Sequence, residues 1–317
     1  MPPVILIAGP TASGKSALAV ALAKRYSGEV INADSMQVYS DLQIISARPL
    51  KTEMADIPHH LYGHIDGTVR YSTGAWLREA VPLMLEIMAR GKVPILVGGT
   101  GLYFQSLIRG LANIPDVPSE VFEAEKNQLK QDGFEARYDY ATQIDPVASA
   151  RLQGRDPQRL IRILSVYKAS GTPLSDWQAH TKPIIPFGFW RGFILQPDRA
   201  ALYERINQRF AKMIKQGGGK EVESLLARGL HPSLPVMKAI GISQAVRAKG
   251  EWGSPDWIAL CQRDTRRFAK RQGTFFRSFG EEWTRLVPQS GKPQDWMADY
   301  RAITELILGD LDGALNV

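Results

Sequence analysis

Near its start the chain reads Gly9-Pro10-Thr11-Ala12-Ser13-Gly14-Lys15-Ser16. These residue types at this spacing complete the pattern G-x-x-x-x-G-K-[ST], and each position has a physical task. The glycines let the backbone curl until successive N–H groups face one oxyanion. A helix opening directly after the loop adds the positive end of its dipole. Lys15 brings a full charge to the phosphates, and the Ser16 hydroxyl is placed to hold Mg²⁺. The chemistry expected here is the grip of a diphosphate or triphosphate. An NTPase or small-molecule kinase would also carry an acidic residue at the end of another apolar strand, to hold Mg²⁺. The apolar run Val93–Val97 ends instead in Gly98-Gly99-Thr100, which leaves room for a loop that holds a diphosphate as a leaving group.

Other residues carry chemistry only in context. Asp34 follows a short apolar run and heads Asp34-Ser35-Met36-Gln37; read alone, it serves a turn or helix cap as well as catalysis. Thr100 stands at the end of a strand, where α/β sheets place their sites, or simply caps a tight turn. Arg205 and Arg209 lie one turn apart on one helical face. Arg159 and Arg162 also share a face, with Arg151 and Arg155 upstream, a stripe suited to phosphates. The strongest charge pattern is Arg263, Arg266, Arg267, Lys270 and Arg271 at i, i+3, i+4, i+7 and i+8, with Asp264 the nearby acid. Phe268, Phe275 and Phe276 beside it could stack on unpaired bases or belong to the core.

The elements that must position these residues are legible in outline. Val4–Ala8 reads as a buried strand, 16–26 as a helix, 29–32 as a second strand, and 76–90 as a helix that carries Pro82 in its first turns. Val93–Val97 reads as another strand, with Gly-rich turns after strands throughout. That alternation is the mark of a parallel α/β sheet. From 113 to 182 strand character disappears; 119–131 and 156–170 look helical, which suggests a helical insertion. The run 187–195 returns to strand character, and 199–216, 219–228 and 258–279 read as later helices. The expected fold is a P-loop NTPase-like parallel sheet flanked by helices, its core formed by 1–112 and 184–317, with a mostly helical insertion at 113–183.

The 317 residues suffice for one large domain or two modest ones. Hydrophobic residues are 44% and charged residues 22%, an ordinary globular composition. A single cysteine, Cys261, excludes an intramolecular disulfide. No apolar run approaches the ~20 residues of a membrane span. Met1-Pro2-Pro3 leads into an apolar run too short for a signal core, so a cytoplasmic location is expected. The net charge of +7 points mildly to a polyanionic partner.

Six stretches occur in an order that resembles the tRNA dimethylallyltransferases, also called tRNA isopentenyltransferases: GPTASGKS, INADSMQVY, PHH with HIDGTVRYSTGAW, PILVGGTGLY, DPQRLIR and AKRQGTFFR. The resemblance runs from about Val4 to Arg277. It implies transfer of a dimethylallyl group from dimethylallyl diphosphate to N6 of the adenosine immediately 3′ of the anticodon, in tRNAs reading codons that begin with U. The products would be N6-isopentenyladenosine and diphosphate. It implies that Asp34 is the general base toward the N6 amine, that Thr100 touches the diphosphate near the breaking bond, and that Arg205 or Arg209 helps Lys15 and Mg²⁺ hold the leaving group. It further implies tRNA contacts at Asp34, Ser35, Met36, Gln37, Thr100, Phe122, Gln158, Arg159, Leu160, Ile161, Arg162, Lys238, Gly241, Ser243, Arg267 and Arg271, made with the anticodon stem-loop. No membrane and no obligate protein partner are expected, and the chain is expected to act as a monomer.

The sequence departs from the family pattern in three places. Ile242-Ser243 follows Lys238-Ala239-Ile240-Gly241 where a tyrosine and a basic or polar residue are usual. Gly217-Gly218-Gly219 replaces a glycine followed by an apolar residue, and Ile45-Ser46-Ala47-Arg48-Pro49 stands for Gly-Thr-Ala-Lys-Pro. These bear on RNA docking more than on chemistry. The competing readings are a P-loop kinase using ATP on a small metabolite, an adenylate isopentenyltransferase acting on free nucleotide, and a non-enzymatic RNA-binding protein. The DPQRLIR segment and the C-terminal basic stripe favour a polymeric acceptor.

Overall fold

The computed structural model describes residues 4–247 and 252–312; the opening Met1–Pro3 lies outside the described residues. Strands β1 (Val4–Ala8), β2 (Gly28–Asn32), β3 (His59–His60), β4 (Val93–Gly98), β5 (Trp190–Leu195) and β6 (Trp283–Leu286) form one sheet in the order β3-β2-β4-β1-β5-β6. Every pairing is parallel. All residues of β1, β2 and β4 are buried. Burial on both faces is why these strands are continuous apolar runs in the sequence instead of alternating ones.

The helix Lys15–Arg25 buries Leu18, Ala19, Leu22 and Ala23 in the core that β1, β2 and β4 share. The helix Thr73–Ala89 begins three residues before the expected Trp76, because the Ser72 hydroxyl accepts the N–H of Ala75 and caps it. Pro82 therefore falls in the helix interior and not in its first turns. Trp76 is fully buried, stacks on Tyr103 at 4.3 Å between ring centres, and donates its indole N–H to the Asn32 carbonyl at 2.7 Å. The later helices run Arg199–Lys215, Gly218–Ala227 and Pro255–Arg277. Patterning alone did not anticipate β3, β6, the helix Gly101–Arg109 or the helix Trp296–Asp312. The first of these has two residues, too few for any periodicity.

A separate compact unit spans Ser106–Ile184, beginning at Ser106 where composition suggested Asn113. It is helical: Ser119–Asp132, Phe134–Ile144, Pro146–Ala150, Pro157–Ser170 and Leu174–Ala179. Leu160, Ile163, Leu164, Val166 and Ala141 form its core. Two carboxylates are buried in this unit, Asp145 as the cap of Pro146–Ala150 and Glu125 in an ion pair. Glu125 is 3% exposed and is held by Arg137 and by Lys168 at 3.0 Å. Removing one partner of a buried pair leaves the other charge without compensation. Glu125→Ala is therefore expected to destabilise the helical unit by ~3 kcal/mol. Urea unfolding followed by circular dichroism measures this; a loss below ~0.5 kcal/mol would show that the Arg137 charge is solvated after all.

Candidate active site

Strands β1 and β2 follow one another in the chain but are not neighbours in the sheet; β4 runs between them. Neighbouring strands lie ~4.8 Å apart, so the exits of β1 and β2 stand roughly 10 Å apart. The loop Gly9–Ser16 leaves β1, the Asp34 turn leaves β2, and Gly98-Gly99-Thr100 leaves β4 between them. Three segments far apart in sequence thus meet at the carboxyl edge of the sheet, where α/β proteins place their sites.

On the β1 side the backbone curls as the glycine pattern requires. Gly9 has φ +150°, and a Cβ there would meet the Leu195 carbonyl at 3.0 Å. Ala12 at φ +66° and Gly14 at φ +101° turn the chain into the helix, whose first turn has no side-chain cap and no acidic residue. Its N–H groups therefore face an incoming anion. Lys15 donates to the Pro10 carbonyl at 2.7 Å. Ser13 Oγ is buried and takes no hydrogen bond among the described residues. Arg209 reaches the loop and donates to Thr11 Oγ1. Arg205, one turn away, lies over the Trp296 ring at 5.5 Å. Of the two arginines the sequence left open, Arg209 is the one that touches the loop. Desolvation lowers the Lys15 ammonium to about 7; Asp34 opposes this and Arg209 adds to it. Arg209 is lowered to about 10, by burial first and then by Arg205. Two partly desolvated cations at one loop favour the binding of an anion.

On the β2 side Asn32, fully buried, shapes the Asp34 turn. Its Oδ1 accepts the Asp34 N–H at 2.9 Å, and its amide donates to the carbonyls of Asp34 and Leu61, each at 3.0 Å. Asp34 Oδ1 accepts the Met36 N–H at 2.9 Å. One carboxylate oxygen thus has the turn-forming use expected of any Asp. Asp34 Oδ2 takes no hydrogen bond among the described residues, and a Cβ on Gly99 would lie only 3.3 Å from it. Thr100 Oγ1 accepts the Ser35 N–H at 2.9 Å and lies 3.3 Å from Ser35 Oγ. Its hydroxyl therefore holds the Asp34 turn. The turn after β4 has no room for side chains: a Cβ on Gly98 would sit 1.9 Å from the Ala33 carbonyl oxygen, and one on Gly101 would sit 2.2 Å from the Phe275 ring.

The residues expected to meet RNA divide. Gln158, Arg159 and Arg162 are exposed on the Pro157–Ser170 helix. Leu160 is completely buried in the core of the helical unit, and Ile161 is buried as well, so neither side chain is exposed as Gln158, Arg159 and Arg162 are. Phe122 is half-buried on Ser119–Asp132. Ser35 and Met36 are half-buried in the Asp34 turn, and Gln37 spends its amide on the Ser46 and Ala47 carbonyls, both at 3.0 Å. Lys238 is exposed; Gly241 is buried at φ +104°. Ile242 is fully buried, and Ser243 donates to Gln244, which donates in turn to Asp264 at 2.8 Å. The basic stripe is less free than its spacing suggested. Arg263 and Arg267 both pair with Asp264, at 3.0 and 3.5 Å, and Arg266 donates to Asn207 at 2.7 Å. Arg267, Lys270 and Arg271 are its exposed members, and Arg271 lies over Phe268. Phe276 is core, at 1% exposure.

Two residues of the site were missed. Asn32 stands inside the quoted INADSMQVY stretch, and a polar residue closing a buried strand was the available signal. Gln272 is 5% exposed on the same buried helix face as Ala269 and Phe276, a lone amide among apolar residues at spacings of three and four. It accepts the Thr11 N–H at 2.8 Å and donates to the Gly99 carbonyl at 3.0 Å.

Comparison with known proteins follows the same lines. A family model described as IPP transferase matches residues 37–279, and one described as isopentenyl transferase matches residues 2–62. A tRNA dimethylallyltransferase of Rhizobium etli is 48% identical over 286 residues, covering 89% of this chain and 96% of the relative. That of Maricaulis maris is 46% identical over 287 residues, covering 90% and 93%. The crystal structure of a full-length tRNA isopentenylpyrophosphate transferase from Bacillus halodurans is similar with a TM-score of 0.69 and 32% identity, over 99% of this chain and 98% of the other. A eukaryotic dimethylallyltransferase acting on tRNA gives a TM-score of 0.78 at 27% identity, over 97% and 80%.

The lowered Lys15 makes anion binding pH-dependent. A bound diphosphate stabilises the ammonium, so its pKa is higher in the complex than in the free protein, and binding takes up a proton above about 7. A diphosphate monoester is itself fully ionised above about pH 7. Its affinity, measured by calorimetry, is expected to fall as pH rises from 7 to 9, approaching tenfold per unit at the upper end. Lys15→Met should bind more weakly and lose this slope; a flat wild-type profile would contradict the assignment.

Proposed function

The chain belongs to the IPP transferase family, and from that premise we propose how its residues carry out the reaction. The activity is the transfer of a dimethylallyl group to tRNA, and the enzyme is a prenyltransferase. The acceptor atom is N6 of the adenosine immediately 3′ of the anticodon, in tRNAs reading codons that begin with U, and the donor is dimethylallyl diphosphate. The observation that carries this reading is the placement of one open carboxylate oxygen, on Asp34, across the β4 exit from a loop with two desolvated cations, Lys15 and Arg209.

An adenine amine is a poor nucleophile because its lone pair is delocalised. Asp34 Oδ2 accepts the N6 proton as the N–C bond forms. The C–O bond to the diphosphate breaks on the other side, and its electron pair leaves with the diphosphate. Lys15, Arg209 and the open helix N-terminus hold the negative charge that develops there. Asn32 and Thr100 keep the Asp34 turn in place. Ser16 is exposed at the start of the helix, and among the described residues no group of three or more His, Cys, Asp or Glu is placed to hold a metal ion. A Mg²⁺ would be held through the Ser16 hydroxyl and would supply further neutralising charge. Exposed Gln158, Arg159, Arg162, Arg267 and Arg271 would meet the RNA backbone, and no helix among the described residues is long and apolar enough to cross a membrane. We place the reaction in the cytoplasm, where its tRNA substrate resides.

Incubation with Mg²⁺, labelled dimethylallyl diphosphate and tRNA is expected to put label into tRNA, whereas AMP in place of tRNA stays unlabelled, and ATP with small metabolites yields no phosphorylated product. Asp34→Ala should lower turnover by ~10² or more with tRNA binding retained. Unchanged turnover in that variant would remove Asp34 from the chemistry.

A further inference from the structure

One side chain joins the phosphate loop to the β4 exit that holds the Asp34 turn. Gln272 accepts the Thr11 N–H at 2.8 Å through Oε1 and donates to the Gly99 carbonyl at 3.0 Å through Nε2. One partner is a pure donor and the other a pure acceptor, so the amide has only one orientation that satisfies both. Both ends of this bridge continue into reacting groups. Thr11 also receives Arg209 through its hydroxyl. Gly99 precedes Thr100, which holds the Ser35 N–H beside Asp34. A Cβ on Gly99 would lie 2.1 Å from Gln272 Nε2, so a side chain there would displace the bridging amide. The bridge is enclosed, with Gln272 5% exposed, so water does not compete for either bond.

We propose that Gln272 is a positioning residue that sets the span between the diphosphate loop and the Asp34 turn, and so aligns the donor carbon with the acceptor nitrogen. The proposal rests on the transferase reading above. In-line displacement needs reacting atoms about 3–3.5 Å apart, and a misplacement of ~1 Å lowers the rate by ~10². Each substrate is held by groups other than Gln272: the diphosphate by Lys15, Arg209 and the helix end, the RNA by exposed basic side chains. Loss of the bridge therefore leaves both affinities in place and lowers the rate of the aligned complex. Gln272 also stands on the helix that displays Lys270 and Arg271. RNA engaging those residues bears on the same helix that pins both loops.

The test is Gln272→Met, nearly isosteric and without either hydrogen bond, in the full chain with Mg²⁺. The site concentration is titrated by binding of an unreactive thiolo analogue of dimethylallyl diphosphate. The expected result is a fall in kcat per titrated site of ~10², with Kd for the analogue and for tRNA within about threefold of wild type. A purely structural glutamine would lower Tm and the fraction of active sites yet leave kcat per site unchanged, and that result overturns the proposal. Hydrogen exchange on the wild-type protein supplies a measurement independent of any variant. The Thr11 amide should be protected to the level of the sheet core, and rapid exchange there overturns the bridge even if Gln272→Met fails to fold. If wild-type protein places no label in tRNA, the transferase reading itself falls, and this proposal with it; if wild type transfers label and Gln272→Met keeps full kcat per site, only the role of Gln272 falls.

Discussion

The backbone of the β4 exit lies directly against the backbone of the β2 exit, and the rest of the site depends on that contact. Gly98 carries no Cβ, and none could be added, because the Ala33 carbonyl oxygen would be 1.9 Å away. Thr100 donates its N–H to that same carbonyl at 3.2 Å and turns its hydroxyl to Ser35. This close approach brings Asp34 to the edge of β4. The strand order does the rest, since β4 separates β2 from β1 and so sets the carboxylate about two strand spacings from the phosphate loop. That gap is the size of a reacting centre, with a leaving group at one end and a proton acceptor at the other.

The electrostatics of the two ends are complementary. Lys15 and Arg209 lose much of their hydration, and each has a neighbouring cation that adds to the effect, Arg209 for Lys15 and Arg205 for Arg209, so each is pushed toward its neutral form. Asp34 partly offsets this from across the site. For the free protein the unfolded chain binds more protons than the folded one between about pH 7 and the ordinary lysine range, so the Lys15 contribution to stability improves as pH rises through that window. An incoming diphosphate reverses the balance by favouring both cations, and the same groups are already in place when charge develops on the leaving oxygen.

Much of this was legible in the residues. The loop Gly9–Ser16 announced itself because every position in it has a local task, and the strands β1, β2 and β4 because burial on both faces leaves uninterrupted apolar runs. The parts that were not legible depend on tertiary neighbours. Spacing shows that Arg205 and Arg209 share a face, but only the fold places Arg209 on Thr11 and Arg205 over Trp296. The stripe at 263–271 read as five open charges, yet Asp264, fixed by Gln244, takes up two of them and Asn207 a third. Leu160 and Ile161 lie inside a motif whose polar members are exposed, and helical geometry buries these two, Leu160 in the core of the helical unit. The departure at Ile242-Ser243 has a local role as well, with Ile242 packed inside and Ser243 joined to the Gln244 bridge.

The central claim is that the Gly9–Ser16 loop grips the diphosphate of an allylic donor while Asp34 addresses the acceptor base. A crystal structure of the protein with the thiolo analogue and an anticodon stem-loop, grown in the presence of ATP, tests it most directly. The account predicts the diphosphate in the loop against Lys15 and Arg209, and N6 of the target adenosine about 3 Å from Asp34. ATP seated in the loop with the allylic compound left outside would contradict it.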